Sequence, residues 1–205
     1  MRQDSIQLRP AQPNYNEGIV FARYMDQAAD GLFRFMLGQH AATIIASAFH
    51  EPEHSLSYEY VTFAELGGEL VGMSSAYTGS QLRRFSDKPL ERAAGRNAFR
   101  LKCMGLLLRP LFRILNNVAD DDLYLQGIAV EPNLRSKGVG STLLADIEQR
   151  GKRSGSSRLC LDVADKNKGA QALYARRGMI QSSQWPNIGF LPPLLVRMTK
   201  VLERC

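Results

Sequence analysis

The chain has 205 residues, of which 44% are hydrophobic and 22% charged, a balance typical of one globular domain. The longest apolar run, residues 104–108, is far too short to span a membrane, and no basic-apolar signal segment opens the chain. Its three cysteines lack C-x-x-C spacing, which argues against a disulfide framework and a zinc site. We therefore expect a single domain over residues 1–205 that is cytoplasmic and has no membrane partner.

The N-terminal part predicts a strand, then helices, then a hairpin. Residues 6–10 indicate a first strand, and apolar residues recur at helical spacing over residues 15–49 with a break near Gly38, which predicts one or two helices. Two runs rich in aromatic and β-branched residues, 58–66 and 69–77, are separated by two glycines. That pair is typical of a tight turn between antiparallel strands.

The segment His50-Glu-Pro-Glu-His54 matches H-E-x-x-H, a pattern in which two histidines on one helical face bind zinc. Pro52 opposes this interpretation, because an interior proline removes a backbone hydrogen bond and disfavours helical geometry at the preceding residue. We therefore expect no metal here and interpret the segment as the exposed end of a helix.

About 45 residues, 78–122, separate the hairpin from the next apolar strand. Their apolar spacing predicts two helices split at Pro110. Basic positions such as Arg92, Arg96 and Arg100 are four apart, which would place them on one helical face. We expect a helical segment that could cover a ligand pocket.

Most of the chain's net charge lies in this segment. Residues 81–119 include nine basic and two acidic side chains, hence +7 against +6 for the whole chain. Such a face is a solvated surface, a means of attracting anionic ligands, or a nucleic-acid contact. Nucleic acid is the least favoured, because no known binding module and no run of stacking aromatics accompanies the charge. The apolar side of the segment makes a homodimer possible.

A strand over residues 123–130 runs into the sequence Arg135-x-x-Gly138-x-Gly140 and then into an amphipathic helix. The first N–H groups of a helix lack intrahelical partners and carry the positive end of its dipole, so this loop suits a pyrophosphate. It is neither a Walker loop, since no lysine is in place, nor a dinucleotide fingerprint, since Leu143 replaces the third glycine. Taken alone, the loop is equally compatible with an empty strand-to-helix turn.

A second strand and helix follow directly. Residues 158–163 form an apolar run, and the helix after them ends at Gly178. A strand-helix-strand connection of this length predicts two parallel neighbouring strands with both loops at one edge of the sheet. Asn167 and Tyr174 should then face the glycine loop.

Together these residues resemble the acetyl-coenzyme A binding core of the GNAT superfamily of N-acetyltransferases over residues 123–179. The family's phosphate loop, R/Q-x-x-G-x-G/A, is matched by Arg135, Gly138 and Gly140. Its second motif, N-x-x-A-x-x-L-Y-x-x-x-G-F, is matched at Asn167, Ala170, Leu173, Tyr174 and Gly178, with Met179 in place of phenylalanine.

The resemblance implies a fold of the α/β (α+β) class. A mixed, mostly antiparallel central sheet is flanked by helices, and a parallel strand pair splays apart at the acetyl-coenzyme A loop. Residues 78–122 are then a helical insertion before the motif strand, and residues 196–202 supply a last strand.

The resemblance also implies an acyltransferase that moves the acetyl group of acetyl-coenzyme A to a primary amine by direct attack in a ternary complex, without a metal. Tyr174 would be the acid that protonates the departing thiolate, since a phenol with a pKa of about 10 is protonated at neutral pH. The cofactor would be held by Asn167 and Tyr174, by the main chain of Ile128 and Val130, and by the loop residues Arg135, Ser136, Lys137, Gly138, Val139, Gly140 and Ser141.

The base that accepts the proton of the amine is not assigned. Some relatives have a glutamate at the position of Tyr124, and strand alternation puts Asp122 and Gln126 on the same face, so Asp122 is the candidate base. Glu131, a water chain or a residue of the insertion are alternatives. Two other functions remain open: a non-catalytic acyl-coenzyme A binding module, and a nucleic-acid-binding protein that uses the basic insertion.

Overall fold

The computed structural model describes residues 5–187 and 192–203. Within them seven strands form one sheet: β1 (Gln7–Pro10), β2 (Val61–Leu66), β3 (Glu69–Thr78), β4 (Asp122–Val130), β5 (Arg158–Ala164), β6 (Ile180–Trp185) and β7 (Leu195–Val201). Their spatial order is β1-β2-β3-β4-β5-β7-β6, and in this part of the chain only β4 and β5 pair in parallel. The predicted fold class, a mostly antiparallel sheet with one parallel pair, is confirmed.

Nine helices surround the sheet in the described ranges: α1 (Tyr15–Ala28), α2 (Leu32–Leu37), α3 (Ala41–Phe49), α4 (Gly79–Leu82), α5 (Lys88–Ala94), α6 (Ala98–Leu107), α7 (Arg109–Leu115), α8 (Val139–Arg153) and α9 (Lys168–Arg176). None of the helices in these ranges is long and apolar enough to cross a membrane.

The two faces of the sheet have separate cores. Leu125 and Leu161 pack with residues of α8 and α9 on one side, which we call the α8 face. Phe63 and Met73 pack with α1, α2 and α3 on the other side, the α1 face. Tyr124 also belongs to the α1 face, where it clusters with aromatic residues and with the start and end of the insertion. Alternate residues of one strand therefore serve opposite sides of the molecule.

The predicted hairpin is confirmed, with β2 and β3 joined by Gly67 and Gly68, which both have positive φ. The helical region differs from the prediction, because it forms three helices instead of one or two. Asp30 and Gly31 adopt left-handed conformations that end α1, and Gly38 does the same after α2. Glycine tolerates positive φ without the steric cost that a side chain brings, and Asp adopts it more readily than most other residues, so these positions end helices.

The insertion forms four helices, not two. Its predicted split at Pro110 is correct, since this proline lies in the first turn of α7. The unpredicted break is at Gly95, which has a φ of 48° between α5 and α6. Arg92 and Arg100 therefore do not share a helical face: Arg92 pairs with Glu51, whereas Arg100 donates to main-chain carbonyls at the end of α2.

The H-E-x-x-H segment follows the end of α3 at Phe49 and is not helical. The expectation of an exposed helix end holds for His50 but is wrong for His54, which is buried. The His54 Nε2 atom lies 3.0 Å from the Ala48 carbonyl oxygen, and its Nδ1 atom accepts from the Leu56 N–H at 3.3 Å. Both ring nitrogens are thus engaged with backbone. In the described ranges no three His, Cys, Asp or Glu side chains are grouped to hold a metal.

Strand β6 was not predicted. Its sequence, residues 180–185, is polar and mostly exposed, because the strand pairs only with β7 and lies at the edge of the sheet. An edge strand with little burial lacks the apolar alternation that identifies strands in a sequence.

Candidate active site

Strands β4 and β5 separate part-way along their length. Their parallel pairing runs from Asp122 opposite Arg158 to Leu125 opposite Leu161 and stops there, whereas β4 continues to pair with β3 as far as Val130. We call the end of the paired part the apex. Beyond it, residues 126–130 of β4 have a strand neighbour on one side only, as far as the described residues show. Such an edge can pair with an extended ligand as it would with a strand.

A β-bulge lies at the apex. Ser75 faces Gly127 and Ala76 faces Leu125, so Gln126 is an extra residue in β4. The Gln126 side chain is held by a 3.1 Å hydrogen bond from the Ser75 hydroxyl. A bulge changes the direction of the strand and the orientation of its backbone groups. The local geometry of β4 therefore changes at the point where the two strands part.

The glycine loop leads into α8 through two residues with positive φ, Ser136 and Gly138. Among the described residues, no side chain caps this helix and none in its first turn is acidic. The N–H groups at positions 139–141 are thus available to an anion, and the helix dipole favours one there. The loop also lies close to the second motif, since a Cβ atom on Gly140 would be 3.7 Å from both Leu173 and Val130.

Asn167 caps α9, because its Oδ1 atom accepts from the Ala170 N–H at 3.1 Å. The amide group of this side chain keeps its two N–H donors for a ligand. At the other end, Gly178 has positive φ, and the Met179 N–H donates to the Tyr174 carbonyl, as in a Schellman motif. Met179 is buried in the same cluster as Tyr174, so this position packs as expected from the sequence.

Tyr174 lies on the α8 face, in the cluster that also includes Leu125, Leu161 and Ile128 around the apex. The residue is 6% exposed, and in the described part of the chain its hydroxyl has no protein hydrogen-bond partner. Burial raises the pKa of Tyr174 above its ordinary value. The phenol is therefore protonated at neutral pH, and its proton is free to be donated.

The opposite side of the apex has a buried polar group on the α1 face. The Tyr124 hydroxyl donates to Asp162 Oδ2 at 3.2 Å, and Arg197 donates to both oxygens of Asp162 at 3.0 and 2.7 Å. Burial, followed by the charge of Asp162, raises the pKa of Tyr124 well above its ordinary value. Tyr124 is thus a hydrogen-bonding group and not a base.

The carboxylates at the start of β4 and just after its end are also paired. Both oxygens of Asp122 accept from Arg158, at 2.9 and 2.8 Å. Glu131 accepts from the Tyr24 hydroxyl at 2.9 Å and forms an ion pair with Arg23. A carboxylate in a bidentate ion pair is a weak proton acceptor, because protonation would cost that pair. The arrangement argues against Asp122 as the base.

A cleft of about 500 Å³ opens beside Arg197. The end of α7 and strands β6 and β7 enclose it, and its lining is largely polar: Arg113, Ile114, Asn116, Asn117, Ser183 and Arg197. The insertion thus borders a cavity, although Arg197 directs its own N–H groups to Asp162 and to carbonyls of residues 114–117.

The sequence was compared with models of known protein families and the fold with solved structures. The family model described as the acetyltransferase (GNAT) family matches residues 25–179, most of the chain. The chain belongs to the GNAT family of acetyltransferases. Membership in this family indicates an acyltransferase. A comparison with curated proteins gave no match.

Solved structures show the same GNAT fold at low sequence identity. A structure described only as an acetyltransferase has 22% identity and a TM-score of 0.67, with 96% of this chain and all of that one covered. An N-acetyltransferase from Staphylococcus aureus Mu50 has 16% identity and a TM-score of 0.65, with 95% and 100% covered. The ribosomal-protein-S18-alanine N-acetyltransferase from Escherichia coli has 15% identity and a TM-score of 0.55, with 98% and 96% covered.

Within this GNAT fold, the structure brings the predicted cofactor loop, Asn167 and Tyr174 to one edge of the sheet. The Val130 carbonyl, which was predicted to contact the cofactor, already accepts a hydrogen bond from Gln27 Nε2 at 3.1 Å. Its second lone pair stays available to a ligand. Sequence reasoning missed Asp162 and Arg197. Leu159, Leu161 and Val163 alternate on the α8 face, so strand alternation alone would have placed Asp162 on the opposite face, beside Tyr124. Nothing in the sequence links Arg197 to Asp162.

Proposed function

We propose that this GNAT protein transfers the acetyl group of acetyl-coenzyme A to a primary amine by direct attack in a ternary complex. The observation that carries the proposal is the free Tyr174 hydroxyl. Tyr174 lies in the cluster around the apex, next to the stretch of β4 that pairs with β3 but no longer with β5. The hydroxyl has no protein partner and is not among the fully buried polar atoms, so it has a proton to give and a ligand can reach it.

The residues present fit acetyl-coenzyme A. The pyrophosphate would lie against the N–H groups of positions 139–141, where α8 begins without a side-chain cap. The pantetheine arm would run along the open edge of β4 near Ile128 and Val130, with Asn167 donating from its amide. Main-chain donors at the bulge beside Gln126 would polarise the thioester carbonyl.

The two faces of the sheet divide the chemistry. The amine nitrogen attacks the thioester carbon from the α1 face, where Tyr124 and Asp162 lie, while the departing sulfur is on the α8 face, where Tyr174 donates its proton. A nitrogen–carbon bond forms, the carbon–sulfur bond breaks, and coenzyme A leaves as a thiol. The sheet therefore separates attacking and leaving groups.

The proton of the amine goes to solvent in this proposal. Asp122, Asp162 and Glu131 are each paired with an arginine. The hydroxyl oxygen of Tyr124, whose own proton points to Asp162, can accept a hydrogen bond from the acceptor amine and orient it. Reactivity should then depend on the fraction of the amine that is neutral. For a lysine-like acceptor this fraction increases with pH until the pH exceeds the amine's pKa of about 10.4.

Thiol release from acetyl-coenzyme A in the presence of a panel of amines tests the proposal. We expect release with at least one primary amine, and kcat/KM should rise with pH up to the acceptor's own pKa. If Asp122→Asn abolishes the thiol release that the parent chain supports while binding of acetyl-coenzyme A persists, Asp122 is the base after all. If acetyl-coenzyme A raises the melting temperature but no amine releases thiol, the non-catalytic binding module is the better description.

A further inference from the structure

The insertion exposes large apolar side chains on one side of α6. Phe99, Leu106 and Leu107 are 78%, 72% and 61% exposed. At 100° per residue, Leu106 lies almost directly above Phe99, with Leu107 beside it on the same half of the helix. The helix has ten residues, and a face that contacts only solvent has no need of three large exposed apolar side chains. Such a patch is typical of an interaction site.

Positive charge surrounds this apolar stripe. From Arg92 to Ala119 the sequence has no acidic residue and six basic ones: Arg92, Arg96, Arg100, Lys102, Arg109 and Arg113. Arg96, Lys102, Arg109 and Arg113 are exposed and lie on or next to α6 and α7, and Lys102 is 3.8 Å from Glu91 in an exposed ion pair that solvent screens. We call these four cations together with Phe99, Leu106 and Leu107 the outer face of the insertion.

The outer face is held in place from behind. Leu101, Met104 and Leu108 on the opposite side of α6 pack against the core of the α1 face. Arg100 ties the start of the helix to the Phe35 and Met36 carbonyls at the end of α2. The stripe is therefore displayed by a packed helix and cannot turn inward without breaking those contacts.

The outer face combines positive charge with apolar surface, and this combination fits some classes of binding partner better than others. A second copy of this chain would bring two predominantly basic surfaces together, which repel each other. A nucleic acid would neutralise the cations but leave Leu106 and Leu107 in water, since only Phe99 could stack on a base. An anionic lipid bilayer provides phosphates for the cations and an acyl boundary for the apolar side chains.

We propose that the outer face of the insertion binds the surface of anionic membranes, with Phe99, Leu106 and Leu107 entering the boundary between headgroups and acyl chains. A helix that lies in the interface needs no spanning segment, so the short apolar runs that argued against a membrane partner do not oppose this contact.

Flotation with lipid vesicles tests the proposal without any use of acetyl-coenzyme A. The full chain should float with phosphatidylcholine vesicles that contain one-third phosphatidylglycerol, should remain unbound with phosphatidylcholine alone, and should be released by high salt. The double variant Phe99→Ser/Leu106→Ser should lower partitioning by about tenfold or more, because it removes the apolar contact and keeps every charge.

The matched control is Ile180→Ser/Val201→Ser, which removes two similarly exposed apolar residues outside the insertion and should bind vesicles like the parent chain. Equal binding by Phe99→Ser/Leu106→Ser and the parent chain would overturn the proposal, as would equal binding to neutral vesicles or none to anionic ones. Duplex DNA binding without vesicle binding would identify a nucleic acid as the partner. A dimer that this double variant abolishes, again without vesicle binding, would identify a second copy.

Discussion

The Tyr124 hydroxyl donates a 3.2 Å hydrogen bond to Asp162 Oδ2 across the line where β4 and β5 begin to part. Arg197 completes the group from β7 with two further hydrogen bonds to the same carboxylate. The side chains of Arg197 and Asp162 are only 13% and 4% exposed, so solvent screens this ion pair little. One buried ion pair therefore holds the Tyr124 hydroxyl in place on the α1 face of the apex.

Asp162→Asn should lower the free energy of unfolding by about 3 kcal/mol, because it leaves Arg197 buried without its counter-charge. Asp122→Asn is the matched control, since it also breaks a bidentate arginine pair. Arg158 is 49% exposed, so that loss should be about 1 kcal/mol. Urea unfolding of both variants measures the difference, and a larger loss for Asp122→Asn would contradict this account.

Tyr174→Phe should reduce kcat by about a hundredfold or more while the affinity for acetyl-coenzyme A stays the same, because it removes only the proton donor to the thiolate. Tyr58→Phe is the control, since Tyr58 is a half-buried core tyrosine packed with the α1-face cluster. Calorimetric titration of acetyl-coenzyme A beside steady-state kinetics separates the two effects. Unchanged turnover in Tyr174→Phe would remove Tyr174 from the mechanism.

Ser141→Glu places a carboxylate in the first turn of α8. In the free protein it should leave stability unchanged or raise it by about 0.5 kcal/mol, because the helix dipole favours a negative charge there. Affinity for acetyl-coenzyme A should nevertheless fall by about tenfold or more, because the carboxylate competes with the pyrophosphate. Gln149→Glu adds the same charge to an exposed position later in α8 and should not weaken binding. Equal affinities for the two variants would mean that the pyrophosphate binds elsewhere.

His54 should make stability depend on pH. Burial lowers the pKa of His54, and protonation of Nδ1 would remove the acceptor of the Leu56 N–H. In the unfolded chain His54 has its ordinary pKa of about 6.5 and binds a proton below that pH, whereas the folded chain resists this protonation. The free energy of unfolding should therefore decrease as the pH falls from neutrality. His54→Gln should flatten this slope in urea titrations between pH 7 and 5. The exposed His50→Gln should retain it, and identical slopes in both variants would exclude His54 as the cause.

Much of the site was predictable because its signals are local. Gly138 and Gly178 mark helix ends through positive φ, and the apolar residues of β4 and β5 identify two buried strands joined by one helix. Those facts place both loops at one edge without knowledge of the rest of the fold.

The remaining features depend on contacts between distant parts of the chain. The pairing of Asp162 with Arg197 requires β7 to lie beside β5, an order that no local pattern reveals. The bulge at Gln126 appears only in the register between β3 and β4. The burial of His54 follows from the way the chain turns back on α3 after Pro52, and a search for helical periodicity cannot detect that turn.

Arg197 has a second set of contacts, since it also donates to the Ile114 and Asn117 carbonyls at the end of α7. The same guanidinium therefore bonds both to the insertion and to the carboxylate that orients Tyr124. A ligand that displaced the end of α7 would therefore also disturb the hydrogen bonds at the apex. By thermodynamic linkage, a ligand at the apex would then change the affinity of that site by the same factor.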